Sequence, residues 1–151
     1  MKVSFTVPGV PVSKQRPKFS RQGKFIRTYT PEQTVNYENL VKMAYCKDDE
    51  PIKLNGAIKA TIKAYFPIPK SASKKKHAQM ALNTIKPVTV SKDTDNVCKA
   101  ILDALNDIAY DDDRQIVELH AYKLYSDMPR AEVELEELMD DFETKMNPPE
   151  V

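Results

Sequence analysis

At 151 residues, with 41% hydrophobic and 8% aromatic side chains, the chain has the size and apolar content of one domain with a real core. No run approaches the roughly 18 consecutive apolar residues of a membrane span, and the opening MKVSFTVPGV lacks the basic start, apolar middle and small-residue cleavage site of a secretion signal. Cys46 and Cys98 stand alone beside two histidines, which argues against a disulfide framework or a thiolate zinc site, so the expected compartment is a reducing cytoplasm.

The net charge of +1 conceals a division. Residues 1–92 carry 18 Lys and Arg against 5 Asp and Glu, whereas residues 93–151 carry 5 against 17. A basic part implies an anionic partner such as nucleic acid. Clustered carboxylates imply either solvated faces or divalent metal ions. Nucleases that use metals need both.

In chain order, the alternation of Val3, Phe5 and Val7 predicts a first strand with one buried face. Pro8 to Tyr29 holds three prolines, two glycines and no acid, and reads as a long, mobile cationic loop with a short ribbon around Gly23. Thr30-Pro31-Glu32-Gln33 combines a hydroxyl N-cap, a first-position proline and a capping-box Gln. The helix expected there has Tyr37, Leu40, Val41, Ala44 and Tyr45 on one face and ends near Lys47. Ile58 to Phe66 alternates as a second strand, ending at Pro67. A second acid-free segment, residues 67–92, accommodates a short helix from about Ser73 to Leu82. Val97, Ala100, Ile101, Ala104, Leu105 and Ile108 predict another one-sided helix from Asp95 to Ile108, whose other face shows Asp95, Lys99 and Asp103. Two strands, Ile116 to Tyr125 and Arg130 to about Leu138, flank the turn Asp127-Met128-Pro129 and should form a hairpin. These elements amount to an α+β fold of two layers, a sheet of about four strands with two main helices on one face. Residues 1–138 form the domain; residues 139–151 show no core pattern and read as a frayed acidic tail.

Asp93-Thr94-Asp95-Asn96 opens the second main helix and Asp111-Asp112-Asp113 follows it. Asp at a helix start caps N–H groups and meets the dipole, and Asp in a turn bonds its own backbone. One cap needs only one acid, however, and three consecutive aspartates repel one another, a cost that a bound cation would relieve. The EF-hand spacing is absent, and oxygen ligands without Cys or His point to magnesium or manganese. Lys99, one turn after Asp95, suits either an i, i+4 ion pair or a cation beside a metal-bound phosphate.

The run from Asp93 to Asn106, with Tyr110 and Asp112-Asp113-Arg114-Gln115-Ile116-Val117, resembles the RusA family of Holliday-junction resolvases, whose pattern is D-x-D-N-x-x-K, D-A-L, then D-D-x-Q. Pro8-Gly9-Val10-Pro11 with Lys14, Arg16 and Pro17, then Thr28-Tyr29-Thr30 and Lys74-Lys75-Lys76, is similar to the phage and prophage branch, so the resemblance covers about residues 3–137. Lys92 stands where many members have Pro. The resemblance implies a Mg²⁺-dependent endodeoxyribonuclease, with Mn²⁺ able to substitute, that acts as a homodimer on four-way or branched DNA through paired nicks and needs no organic cofactor. It implies Asp93, Asp95, Lys99 and Asp113 as the catalytic residues, Asp93, Asp95, Asp112 and Asp113 as metal ligands, and Gln115 as the residue that sets the register of the turn.

The candidate phosphate contacts are Lys14, Arg16, Lys18, Arg21, Lys24 and Arg27 in the first basic segment, and Lys70, Lys74, Lys75 and Lys76 in the second. The three consecutive lysines also suit a merely solvated helix face. Two other readings stay open: a non-catalytic junction- or DNA-binding module, and a nuclease for flaps or replication forks. RNA binding is disfavoured because no aromatic motif interleaves the basic runs. His77 and His120 read as surface and strand residues rather than ligands.

Overall fold

The computed structural model describes residues 1–47 and 50–139. Its elements are β1 (Lys2–Pro8), β2 (Lys18–Gln22), β3 (Phe25–Tyr29), α1 (Glu32–Tyr45), β4 (Ile58–Pro67), α2 (Lys74–Ala81), α3 (Thr94–Ala104), β5 (Ile116–Ser126) and β6 (Arg130–Glu137), with a short 3-10 turn at Asp113–Gln115. β2 and β3 form a separate two-stranded ribbon, the one expected around Gly23.

Period-two alternation builds the main sheet. β4 buries Ile58, Ala60, Ile62, Ala64 and Phe66 while Lys59, Thr61, Lys63 and Tyr65 take the other side. β6 does the same with Ala131, Val133 and Leu135. Against this apolar face α1 lays Tyr37, Val41 and Tyr45, and α3 lays Val97, Ala100, Ile101 and Ala104. A fully buried Ile or Leu at such positions contributes about 1.5–3 kcal/mol. The opposite face is polar: Lys2 pairs with Glu134 at 3.3 Å, and the Arg130 guanidinium lies 4.0 Å from the Tyr65 ring centre. The class is α+β, with α1 and α3 on one face of a four-stranded sheet.

Three local expectations are corrected. The strand order is β1-β6-β4-β5, so β5 and β6 are not a hairpin; β4 lies between them, antiparallel to β6 and parallel to β5. The turn at residues 127–129 reverses the chain but steps across the end of β4, because the strand with the fully buried apolar face belongs in the centre. Thr30 does not cap α1. Pro31 takes the cap position, its carbonyl accepting from the N–H groups of Thr34 and Val35 at 3.1 and 3.2 Å, and the Gln33 Oε1 accepts from Gln15 instead of closing a capping box. Finally, α3 stops at Ala104 rather than Ile108. The Leu105 and Asn106 N–H groups bond three residues back, to Leu102 and Asp103, and Asp107 turns the chain with φ of 64°. The tail expected beyond Leu138 lies, from residue 140 onward, outside the described residues.

Candidate functional site

The apolar side of α3 fixes what its polar side presents. With Val97, Ala100, Ile101 and Ala104 packed inward, Asp95, Lys99 and Asp103 fall in i, i+4, i+8 steps along the outer stripe. Asp93 occupies the N-cap position, yet its carboxylate makes no capping bond and accepts instead from the Asn96 side chain at 3.3 Å. The Lys99 ammonium is exposed and sits 3.9 Å from Asp103.

The turn after α3 is held more tightly. Tyr110 is fully buried and its hydroxyl donates to the Leu102 carbonyl at 2.5 Å, anchoring the start of the aspartate run. Gln115 Oε1 accepts from the N–H groups of Asp111 and Asp112 at 2.9 and 3.1 Å, while its Nε2 donates to the Gly56 carbonyl at 3.1 Å. Asp112 caps the 3-10 turn by accepting from the Arg114 N–H at 2.9 Å. The Asp113 N–H donates to Asn106 Oδ1 at 2.8 Å, a contact made available by the early end of α3. Asp111 points away to an exposed pair with Lys53 at 2.6 Å.

Asp113 therefore meets α3 at its C-terminal end. Its carboxyl is within hydrogen-bond reach of Asp103 and Asp112; Asp103 beside it, then partial burial, then Asp112 push it up to about 6. Partial burial works against ionisation of Asp103 too, but the Lys14 ammonium and the bond from Asp113 hold that group below the usual carboxylate range. The Arg114 N–H holds Asp112 low. The Lys14 Nζ contacts Asp103 at 2.8 Å and Glu38 at 2.9 Å, which overcome its partial burial and raise its pKa.

Of the four residues inferred as catalytic, the fold brings Asp113 to Asp112 and Asp103, whereas Asp95 lies eight residues, about 12 Å of helix rise, from Asp103. Asp93 is at the same far end. Lys99 bridges the interval. A stripe lined by carboxylate oxygens, with unrelieved repulsion at Asp113, fits a hard dication in donor chemistry. Among the described residues no three His, Cys, Asp or Glu side chains, the crowded Asp103, Asp112 and Asp113 included, are arranged so that they could already hold a metal ion.

Arg16, Lys18, Arg21, Lys24, Arg27, Lys70, Lys74, Lys75 and Lys76 are all exposed. Lys14 is not free in the same way, since two carboxylates hold its ammonium. Its backbone N–H also donates to the Asn96 carbonyl at 2.9 Å, so it clamps the first basic segment to α1 and α3. Sequence reasoning missed the part played by Asp103, although its i+8 spacing from Asp95 was the available signal. It also missed the aromatic interleaving: Phe19, Phe25 and Tyr29 stand among the cations of the ribbon. His77 and His120 pair with Asp127 and Glu118 on the surface.

A family model described as endodeoxyribonuclease RusA matches residues 8–136, a span that includes both basic segments, α3 and the aspartate turn. The uncharacterized protein YqaN of Bacillus subtilis (strain 168) is 33% identical over 138 residues, covering 90% of this chain and 96% of YqaN. The chain belongs to the RusA endodeoxyribonuclease family.

Proposed function

We propose that the chain is a structure-selective endodeoxyribonuclease that resolves Holliday junctions by Mg²⁺-dependent hydrolysis, a homodimer making paired nicks in strands related by the junction's own two-fold symmetry. The Asp113 carboxyl supports this most directly: in a RusA-family chain it sits between Asp103 and Asp112, with its charge unrelieved by any cationic side chain of its own. One or two divalent ions, held by Asp113 and Asp112 at one end of the stripe and by Asp93 and Asp95 at the other, would polarise the scissile phosphate and make hydroxide available at neutral pH. Lys99 places an exposed ammonium midway along the stripe, where it stabilises charge developing on phosphoryl oxygens. Lys14 holds Asp103 in its rotamer and so keeps the acid partner of Asp113 fixed. Arg16, the cations of the ribbon, Lys70 and the three lysines of α2 track phosphates without reading sequence.

The test is a denaturing gel of a synthetic four-way junction labelled on each strand in turn. Nicks at symmetric positions in opposite strands are expected with Mg²⁺, and none in EDTA. Junction binding that is equal in EDTA, with no nick under Mg²⁺ or Mn²⁺, would instead identify a non-catalytic junction-binding module.

A further inference from the structure

The β2–β3 ribbon exposes large apolar side chains that the domain does not use. Phe19, Phe25 and Ile26 are 75%, 79% and 71% exposed. A single exposed apolar residue is ordinary, but three on one short ribbon mark a contact surface. The register pairs Phe19 with Thr28 and Arg21 with Ile26 on one face, and Lys18 with Tyr29 and Ser20 with Arg27 on the other, where Phe25 follows. Aromatic or aliphatic groups and cations thus share both faces. A two-residue turn with Gly23 at φ of 61° closes the tip.

The root of this ribbon is fixed. Four residues before β2, Lys14 bonds Asn96 and Asp103 of α3, and the neighbouring Gln15 bonds Thr34 and Gln33 of α1. Lys18 therefore starts within about 14 Å of Lys14, the most that four residues can span, and Lys14 itself touches the acidic stripe.

We propose that the ribbon is a stacking wedge: Phe19, Phe25 and Ile26 lie against bases unstacked at the branch point of DNA, while Lys18, Arg21, Lys24 and Arg27 hold the flanking phosphates. This rests on the branched-DNA reading given above and adds to it the element that recognises the branch. Base faces suit aromatic groups whatever the sequence. Forcing an apolar group between paired bases carries an unstacking cost, and the cost is least where stacking is already interrupted. A wedge of this kind favours a branch over a continuous duplex. A second copy of the ribbon is a poorer occupant, since no acidic residue precedes Glu32 and four cations would face four.

The chain contains no tryptophan, so Phe25→Trp in the full chain introduces a single reporter at the tip. In EDTA, its emission is expected to be quenched by a four-way junction and much less by a fully paired duplex of the same arm sequence. Phe19→Ala combined with Phe25→Ala should weaken junction binding on the order of tenfold per side chain and leave duplex binding nearly unchanged. Both side chains are exposed, so an unaltered melting temperature verifies the fold. Equal quenching by junction and duplex, or wild-type junction affinity in the double variant, overturns the wedge. So does a double variant that sediments at lower mass while binding DNA normally, which would assign the ribbon to a second copy. A chain that passes these binding tests but leaves junctions uncut in Mg²⁺ overturns the nuclease reading alone, whereas one that cuts them with wild-type affinity in the double variant overturns the wedge alone.

Discussion

Replacing Asp113 by Asn removes a carboxyl that crowds Asp103 and Asp112, and the consequences for stability and for chemistry run in opposite directions. Because its folded pKa of about 6 exceeds the ordinary 3.8, the folded chain binds the extra proton between those values. That contribution to stability is fully present below about pH 4 and lost as pH rises through 6. In the absence of divalent ions, Asp113→Asn should therefore melt higher than wild type at pH 7.5 and show no gain at pH 3.5. Solvent screening keeps the gain below about 1 kcal/mol, a shift of a few degrees. The same variant should fail to nick junctions yet still bind them. Calorimetry at the two pH values checks the first statement: an equal melting temperature at pH 7.5 would show that the three carboxyls do not repel. Asp111→Asn is the control, since Asp111 forms only an exposed pair with Lys53. Its cleavage rate should stay within about twofold of wild type, as expected for a surface ion pair worth under 1 kcal/mol, and a loss equal to that of Asp113→Asn would move the site by two residues. At this scale the sequence announces the aspartate run plainly and says little about its neighbours. The resemblance singles out Asp113, but that Asp103 sits against it and Lys14 behind it depends on how α3 ends, which no local motif announces.

Gln115 shows how an element inherits its shape from one side chain. A single amide receives two N–H groups of the aspartate turn and ties it to Gly56, so Gln115→Leu removes an acceptor and a donor together. The partly exposed N–H groups can turn to water, so the cost in stability should be about 1 kcal/mol. The cleavage rate should fall by at least tenfold as the turn loses its geometry. Unchanged cleavage at reduced melting temperature would make the amide purely structural. Element existence is well announced in this chain: Val3, Phe5 and Val7, or Ile58 through Phe66, alternate so regularly that only a half-buried strand satisfies them. Connections are less legible. Asp127-Met128-Pro129 signals a reversal equally well whether the next strand lies adjacent or one place over, and the choice is made by β4, whose buried face competes for the centre of the sheet. Pro31 likewise outcompetes Thr30 as cap because its own carbonyl already accepts the first two helical bonds.

Over the whole molecule, the separation of charge between the two parts of the sequence gives binding its expected salt dependence. Each duplex phosphate neutralised should contribute about 0.9 to the log–log slope of affinity against salt. α2 has no buried residue, so alanine at Lys74, Lys75 and Lys76 together should leave the fold intact while lowering both slope and affinity, alike for junctions of different sequence. A slope equal to wild type would make that helix a solvated face and leave phosphate contact to Arg16 and the ribbon. The strand order carries a different consequence, for synthesis. β6 lies between β1 and β4, so the first strand made and the central strand both wait for the last one. Until Arg130–Glu137 leaves the ribosome, two apolar strand edges are unpaired and the acidic turn, although already translated, has no finished sheet beneath it. A chain stopped at Ser126 should accumulate in the insoluble fraction or be degraded by proteases, while one stopped at Met139 should be recovered soluble and resist limited proteolysis. Nascent copies would then carry no DNA-cutting activity until β6 has been made, a safeguard for a cell that must make a nuclease beside its own chromosome.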